Sequence, residues 1–207
     1  MKDIFIMIKR TFILLLFISL YTSLFAGSFR HLNVREGLSS RQVYQICKDS
    51  TGFIWTYTHM GVDRYDGNEI RHYKLNETID SKDHILSFTV MEIDKEGNLW
   101  IALRNGRIYR YDKLKDCFEL QVDLSQSISF PVLNGIEFEK NGGLWLSTST
   151  GVYYWSRTDK VLSPAGLIGE WTNCIIKSAE NTFFVGTNTE VYKMEKSRRT
   201  CKLSKEK

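Results

Sequence analysis

The sequence predicts an all-β fold, an arc of about four four-stranded antiparallel β-propeller blades, on three observations. A tryptophan recurs at Trp55, Trp100 and Trp145, at equal steps of 45 residues, and Phe184 takes the fourth place after a shorter step of 39. A glycine follows each tryptophan by six residues, at Gly61, Gly106 and Gly151. Short runs of alternating apolar and polar residues lie around these markers, separated by turns rich in Asp, Asn and Gly, as hairpin-connected strands require. Units of about 40 to 45 residues with four strands each signal propeller blades, because a four-stranded sheet cannot cover both its faces alone and stacking buries them.

The blades are expected over residues 42–75, 87–122, 132–163 and 172–204, within a repeat region of 27–192. Ahead of them, residues 29–34 alternate apolar and polar side chains and predict a single strand placed to complete the last blade. Blade one then reads as strands at 42–47, 53–58, 61–65 and 69–75, with Val43 and Ile46 as core anchors, turns at 49–52 and an Asp66-Gly67 hairpin signal. Blades two and three copy this layout. Blade four is eroded, with Glu190 where the glycine belongs. Residues 193–207 form a basic tail whose 200–204 stretch is the expected outer strand of blade four.

In this scheme Trp55, Trp100, Trp145 and Phe184 fill the seams between blades, each ring removing about 150 to 250 Å² from water. Gly61, Gly106 and Gly151 turn the chain into the third strand with positive φ. Aromatic platforms for a sugar are the competing use of these rings; regular recurrence at fixed strand positions favours the core.

Composition agrees with a soluble domain with a real core: 207 residues, 43% apolar and 25% charged, with only 2 prolines. Residues 1–26 differ. Lys2, Lys9 and Arg10 precede an apolar run over 11–20 and a small-residue exit at Ala26, the three zones of a secretory signal. An uncleaved membrane anchor is the other reading, since about 20 apolar residues span a bilayer. Either way the repeats are expected outside the cytoplasmic membrane, in the periplasm, touching the membrane only through the leader. The net charge of +4 is concentrated in the leader and the tail, which leaves the repeats slightly acidic and gives no reason to expect a nucleic-acid partner.

Four cysteines are present, Cys47, Cys117, Cys174 and Cys201. Cys47 and Cys174 fall in the same strand of different repeats, so core thiols are expected rather than a disulfide framework. No Cys-x-x-Cys or His-x-x-x-His spacing occurs, so no metal or other cofactor is expected. The histidines His31, His59, His72 and His84 show no paired-acid or nucleophile spacing, which predicts no catalytic residues. Ligand contact is expected instead from polar residues on loops that cluster at one mouth: His59, Asp63, Arg64, Arg104 and Arg107, with Tyr57 beside them.

One longer stretch is more specific. Leu32, Gly37-Leu38-Ser39, Val43, Ile46, Asp49-Ser-Thr-Gly52-Phe-Ile-Trp55, Thr58 and Gly61-Val-Asp-Arg-Tyr65-Asp-Gly67 together resemble the two-component regulator propeller repeat. The resemblance runs through the chain after the leader, strongest in blades one and two. Departures are Trp55-Thr-Tyr-Thr58 and Trp100-Ile-Ala-Leu103 in place of the family's Trp-Ile-Gly-Thr. The family opens the exported sensor region of hybrid two-component systems in Gram-negative gut bacteria. It implies two large propellers, a β-sandwich, a membrane span, a histidine kinase, a receiver and a DNA-binding module, with oligosaccharides as the usual ligands. No kinase histidine or glycine-rich nucleotide motif stands in this sequence. The expectation is therefore a truncated, ligand-sensing propeller arc that is not itself an enzyme. Two alternatives stay open: a scaffold that binds other propeller or sensor chains, and a propeller lyase or glycosidase.

Overall fold

The computed structural model describes residues 4, 7–13, 15, 30–58, 60–75, 90–196 and the backbone of 201–205. It divides into two units, 1–32 and 33–207. In the first, residues 7–13 are helical. Among the described residues no helix is long and apolar enough to cross a membrane; most of the predicted leader core lies outside them.

The second unit holds four sheets. Blade one is β1 (Val43–Lys48), β2 (Ile54–Thr58), β3 (Gly61–Tyr65) and β4 (Ile70–Tyr73); blade two is β5 (Val90–Ile93), β6 (Leu99–Ala102), β7 (Arg107–Asp112) and β8 (Cys117–Asp123). Blade three is β9 (Leu133–Phe138), β10 (Leu144–Thr148), β11 (Gly151–Ser156) and β12 (Val161–Gly166); blade four is β13 (Thr172–Ala179), β14 (Thr182–Thr187), β15 (Val191–Lys196) and β16 (Cys201–Lys205). Each sheet is an antiparallel meander in chain order.

Register explains how the blades stack. Trp55 sits opposite Cys47 and Arg64, Trp100 opposite Glu92 and Arg110, and Trp145 opposite Glu137 and Tyr154. Because strand side chains alternate between faces, the residues on either side of each tryptophan point the other way. The tryptophan face of one blade packs on the opposite face of the next. Trp55 is buried with Leu99, Ile101, Tyr111 and Phe118 of blade two. Trp100 is buried with Leu144, Leu146 and Trp155 of blade three, and Trp145 with Phe183, Val185 and Met194 of blade four. Three core clusters thus make three consecutive seams.

That rule corrects several sequence expectations. Phe184 pairs with Ile176 and Lys193 on the tryptophan face of blade four, which no further described blade covers, so it is only half-buried. The buried ring is its neighbour Phe183, which lies 4.6 Å from Trp145. Cys174 shares the uncovered face with Phe184 and is exposed rather than a core thiol. Cys47, facing blade two, is half-buried, and its thiol is pushed up to about 11 by that burial. Val43 and Ile46 are not core anchors: they stand on the outward side of the first blade, and Ile46 is 64% exposed.

The expected strand at 29–34 is also absent. Residues 30–33 are irregular and Val34–Glu36 is a single 3-10 turn, with Phe29 outside the described residues. Asn33 accepts from the Arg35 N–H while Glu36 reaches back to the Asn33 N–H, a capping box that bends the chain instead of extending it. The outer strand of blade four comes from β16, which pairs with β15.

The turns repeat one device. Asp49 Oδ1 accepts the Thr51 and Phe53 N–H groups, and its Oδ2 takes the Trp55 indole N–H at 2.8 Å. Asp94 does the same for Glu96, Asn98 and Trp100. The acid six residues before the tryptophan thus both closes the hairpin and satisfies the buried indole. In blade three that acid is Glu139, which receives Tyr154 and Lys196; burial pushes its carboxyl up, but Lys196 and the Trp145 indole outweigh that and hold it below its usual range. Gly61, at φ 125°, needs its missing side chain: a Cβ there would lie 2.7 Å from the Tyr73 carbonyl oxygen.

Candidate functional site: the loop end of the blades

Up-and-down strands place connections at two ends. One end carries the β1–β2 and β3–β4 turns and their counterparts. The other carries the turns between second and third strands and the crossings from blade to blade, where His59 and Arg104 fall in the chain. His59 lies outside the described residues.

The other sequence candidates are dispersed. Asp63 and Arg64 are consecutive on β3 and therefore point to opposite faces. Asp63 is 1% exposed. Its Oδ2 accepts the Ser39 backbone N–H at 2.9 Å and the Ser39 hydroxyl at 2.8 Å, and its Oδ1 lies 2.7 Å from His72 Nδ1. Ser39 Oγ is also 2.7 Å from Thr58 Oγ1. Asp63 thus ties the segment after the 3-10 turn to the outward side of blade one. Although Ser, His and Asp meet here, the carboxylate stands between hydroxyl and imidazole. The imidazole therefore does not touch the serine hydroxyl, as it does in a Ser-His-Asp triad.

Arg64 serves the first seam. Its guanidinium lies 4.7 Å over the Phe53 ring and 5.6 Å over Trp55, and its Nη1 donates to Tyr111 at 2.8 Å and reaches Asp116 at 3.2 Å. Arg110, at the same strand position of blade two, covers Trp100 at 5.9 Å. Both arginines cap the buried indole, which gives Arg64 a packing role in the seam that the sequence reading did not assign to it. Asp116 gathers Arg64, Arg71, Tyr73 and Tyr111. Burial pushes its carboxyl up, but hydrogen bonds from Tyr111 and Tyr73 and the two arginine charges outweigh that and hold it below the usual range. Tyr73 and Tyr111 are pushed up, by burial first and then by donating to Asp116.

Arg107 pairs with Asp123, its Nε 3.4 Å from the carboxylate. Arg104 is half-buried in the β6–β7 turn, where its carbonyl accepts the Leu133 N–H at 2.8 Å. Among the described candidates, Asp63 and Arg64 thus point to opposite faces of blade one, while Arg104 and Arg107 flank the β6–β7 turn of blade two. Among the described residues no cluster of three or more His, Cys, Asp or Glu could hold a metal ion.

The loop end does carry side chains that sequence reasoning passed over. Trp171 precedes β13 and is 39% exposed, whereas Trp55, Trp100, Trp145 and Trp155 are all 2% exposed or less. Its indole N–H donates to Asn173 Oδ1 at 2.9 Å, and Asn173 Nδ2 donates to Asn188 Oδ1 at 2.9 Å. Phe130, in the crossing from blade two to blade three, is almost fully exposed at φ 49°. A bulky residue rarely takes that conformation, least of all before a proline. Trp171 and Trp155 both stand outside the 45-residue spacing, and only burial separates them, since Trp155 packs against Trp100 while Trp171 does not join that core.

No family model and no curated protein matches the chain. Solved structures match it in fold. The extracellular domain of a B. thetaiotaomicron protein assigned to a hybrid two-component system aligns at TM-score 0.62 and 21% identity, over 84% of this chain and 26% of that one. A second such domain from the same organism gives 0.58 and 16%, over 76% and 21%. This is a β-propeller arc. Virginiamycin B lyase from Staphylococcus aureus, with quinupristin, gives 0.62 and 16%, over 86% of this chain and 59% of that one. The chain thus spans about a fifth to a quarter of the length of those two extracellular domains.

Proposed function

We propose that this chain belongs to an exported, ligand-sensing propeller that binds an oligosaccharide outside the cytoplasmic membrane and serves signal transduction rather than turnover. The observation that carries the reading is blade one. Its Gly37-Leu38-Ser39 segment, its Asp49-to-Trp55 hairpin and its Gly61-to-Gly67 strand and turn are the residues of the two-component regulator propeller resemblance, and all three are used structurally. Fold likeness to two extracellular domains assigned to hybrid two-component systems supports it. Residues 1–26 act as the export signal or as an inner-membrane anchor in this reading.

The chain exported to the periplasm of a bacterial host and purified from there supplies the test. A matching oligosaccharide raises its melting temperature by linkage, about 2.7 kcal/mol of added stability at one hundred times Kd. If no sugar of a broad panel shifts melting, the sensing reading falls. The scaffold reading has one observation of its own, the bare apolar face of Ile176, Phe184 and Val191 on blade four.

A further inference from the structure

The geometry points to the Trp171–Asn173–Asn188 cluster at the loop end of blade four as a subsite for a neutral pyranose or furanose ring. This deepens the sensing reading and rests on it for the existence of a saccharide ligand.

Three features carry it. First, Trp171 breaks the packing rule that buries the other four tryptophans, and its indole N–H is already satisfied by Asn173. What it offers a ligand is ring surface, suited to the C–H face of a sugar. Second, the cluster is held from below. Thr172 is fully buried; its hydroxyl accepts the Thr148 N–H at 2.9 Å and sits 3.0 Å from the Thr148 carbonyl oxygen, while its own carbonyl accepts the Asn134 amide at 2.8 Å. The crossing before it is pinned as well, with the Gly169 N–H donating to the Thr150 carbonyl at 3.0 Å. A platform fixed before binding loses little entropy on binding.

Third, the two chain segments that build the cluster carry acid and no base. Residues 167–173 and 186–191 contain no lysine or arginine, and each stretch contains one carboxylate, Glu170 and Glu190. Amides and carboxylates pair with sugar hydroxyls, whereas an anionic ligand meets like charge there. Neutral sugars are favoured over uronates and phosphates.

Because only Trp171 is open to solvent, tryptophan emission that iodide quenches reports on this site. The exported protein is titrated with cellotriose, mannotriose, arabinotriose and trigalacturonic acid, following melting temperature and iodide quenching together. A neutral trisaccharide is expected to raise melting and shield Trp171 from iodide. Trp171→Ala is expected to weaken its affinity about tenfold or more by calorimetry, in protein whose retained fold is checked by circular dichroism. Asn173→Ala is expected to act in the same direction. If a sugar that stabilises the parent protein binds Trp171→Ala equally well, the subsite is wrong while sensing survives. If trigalacturonic acid binds better than the neutral sugars, the neutral class is wrong. If no sugar stabilises the parent protein, sensing and subsite fall together.

Discussion

Trp100 is 1% exposed in the middle seam, between Ile108 and Val122 of its own blade and Leu144 and Leu146 of the next. Trp100→Ala is expected to cost about 3 to 5 kcal/mol, as a buried large-to-small change; urea unfolding measures it, and a loss below about 1 kcal/mol would place the ring at the surface. The adjacent pair in blade four separates register from composition. Phe183→Ala should also cost about 3 to 5 kcal/mol, whereas Phe184→Ala, on the uncovered face, should cost well under half of that. The hairpin acids set the acid limit. Burial pushes Asp94 up, but hydrogen bonds from Asn98 and Trp100 prevail and hold it below its ordinary 3.8; Asp49 is likewise held low against burial by Thr51 and Trp55. A carboxyl held low binds fewer protons folded than unfolded. Its contribution is therefore complete above 3.8 and is lost as pH falls below that value toward the folded pKa. The urea midpoint should hold from neutral to mildly acidic pH and then drop, and an Asp49→Asn, Asp94→Asn double variant should flatten the drop.

Turn glycines behave as parts of elements, not as interchangeable hinges. Gly52 lies at φ 98° with open space, nothing within 4 Å, where a Cβ would stand, so Gly52→Ala should cost only the left-handed backbone penalty, about 1 to 2 kcal/mol. Gly61→Ala adds a collision with the Tyr73 carbonyl oxygen, about 1 to 3 kcal/mol more. Thermal melts of the two variants rank them, and equal losses would refute the close approach. Strand existence was legible because alternation and turn chemistry are local. Which strand face is covered was not, since that depends on the next blade. Phe183 and Phe184 are the same residue type in adjacent positions, and only the seam tells them apart. The misread at 29–34 has a local cause: Asn33 and Glu36 carry a capping signal that alternation of apolar residues overrode.

Among the described residues, the two middle blades are covered by other blades on both faces, and the outer two on one. Blade one closes its outward side with polar groups, Asp63, His72 and Thr58, and with the segment that holds Ser39. Blade four leaves Ile176 58% exposed. In arrays of this kind stability is close to a sum of neighbour terms. Amide hydrogen exchange should therefore be slowest in β6 and β10 and faster in β14, through local opening of the fourth blade. Equal protection in all four blades would mean that the uncovered face is buried by something further. The sensing reading belongs to this scale too, since the loop end is assembled only when blades stand side by side.

The sequence by itself determined the blade count, the turn positions, the burial of Trp55, Trp100 and Trp145, and the family resemblance, because each is written in local spacing that repeats. Tertiary structure decided what the polar residues do. Arg64 became a cap on an indole, Asp63 a tie for Ser39, and Trp171 stayed partly open to solvent, since each placement depends on side chains brought near by stacking and register, which local spacing does not encode.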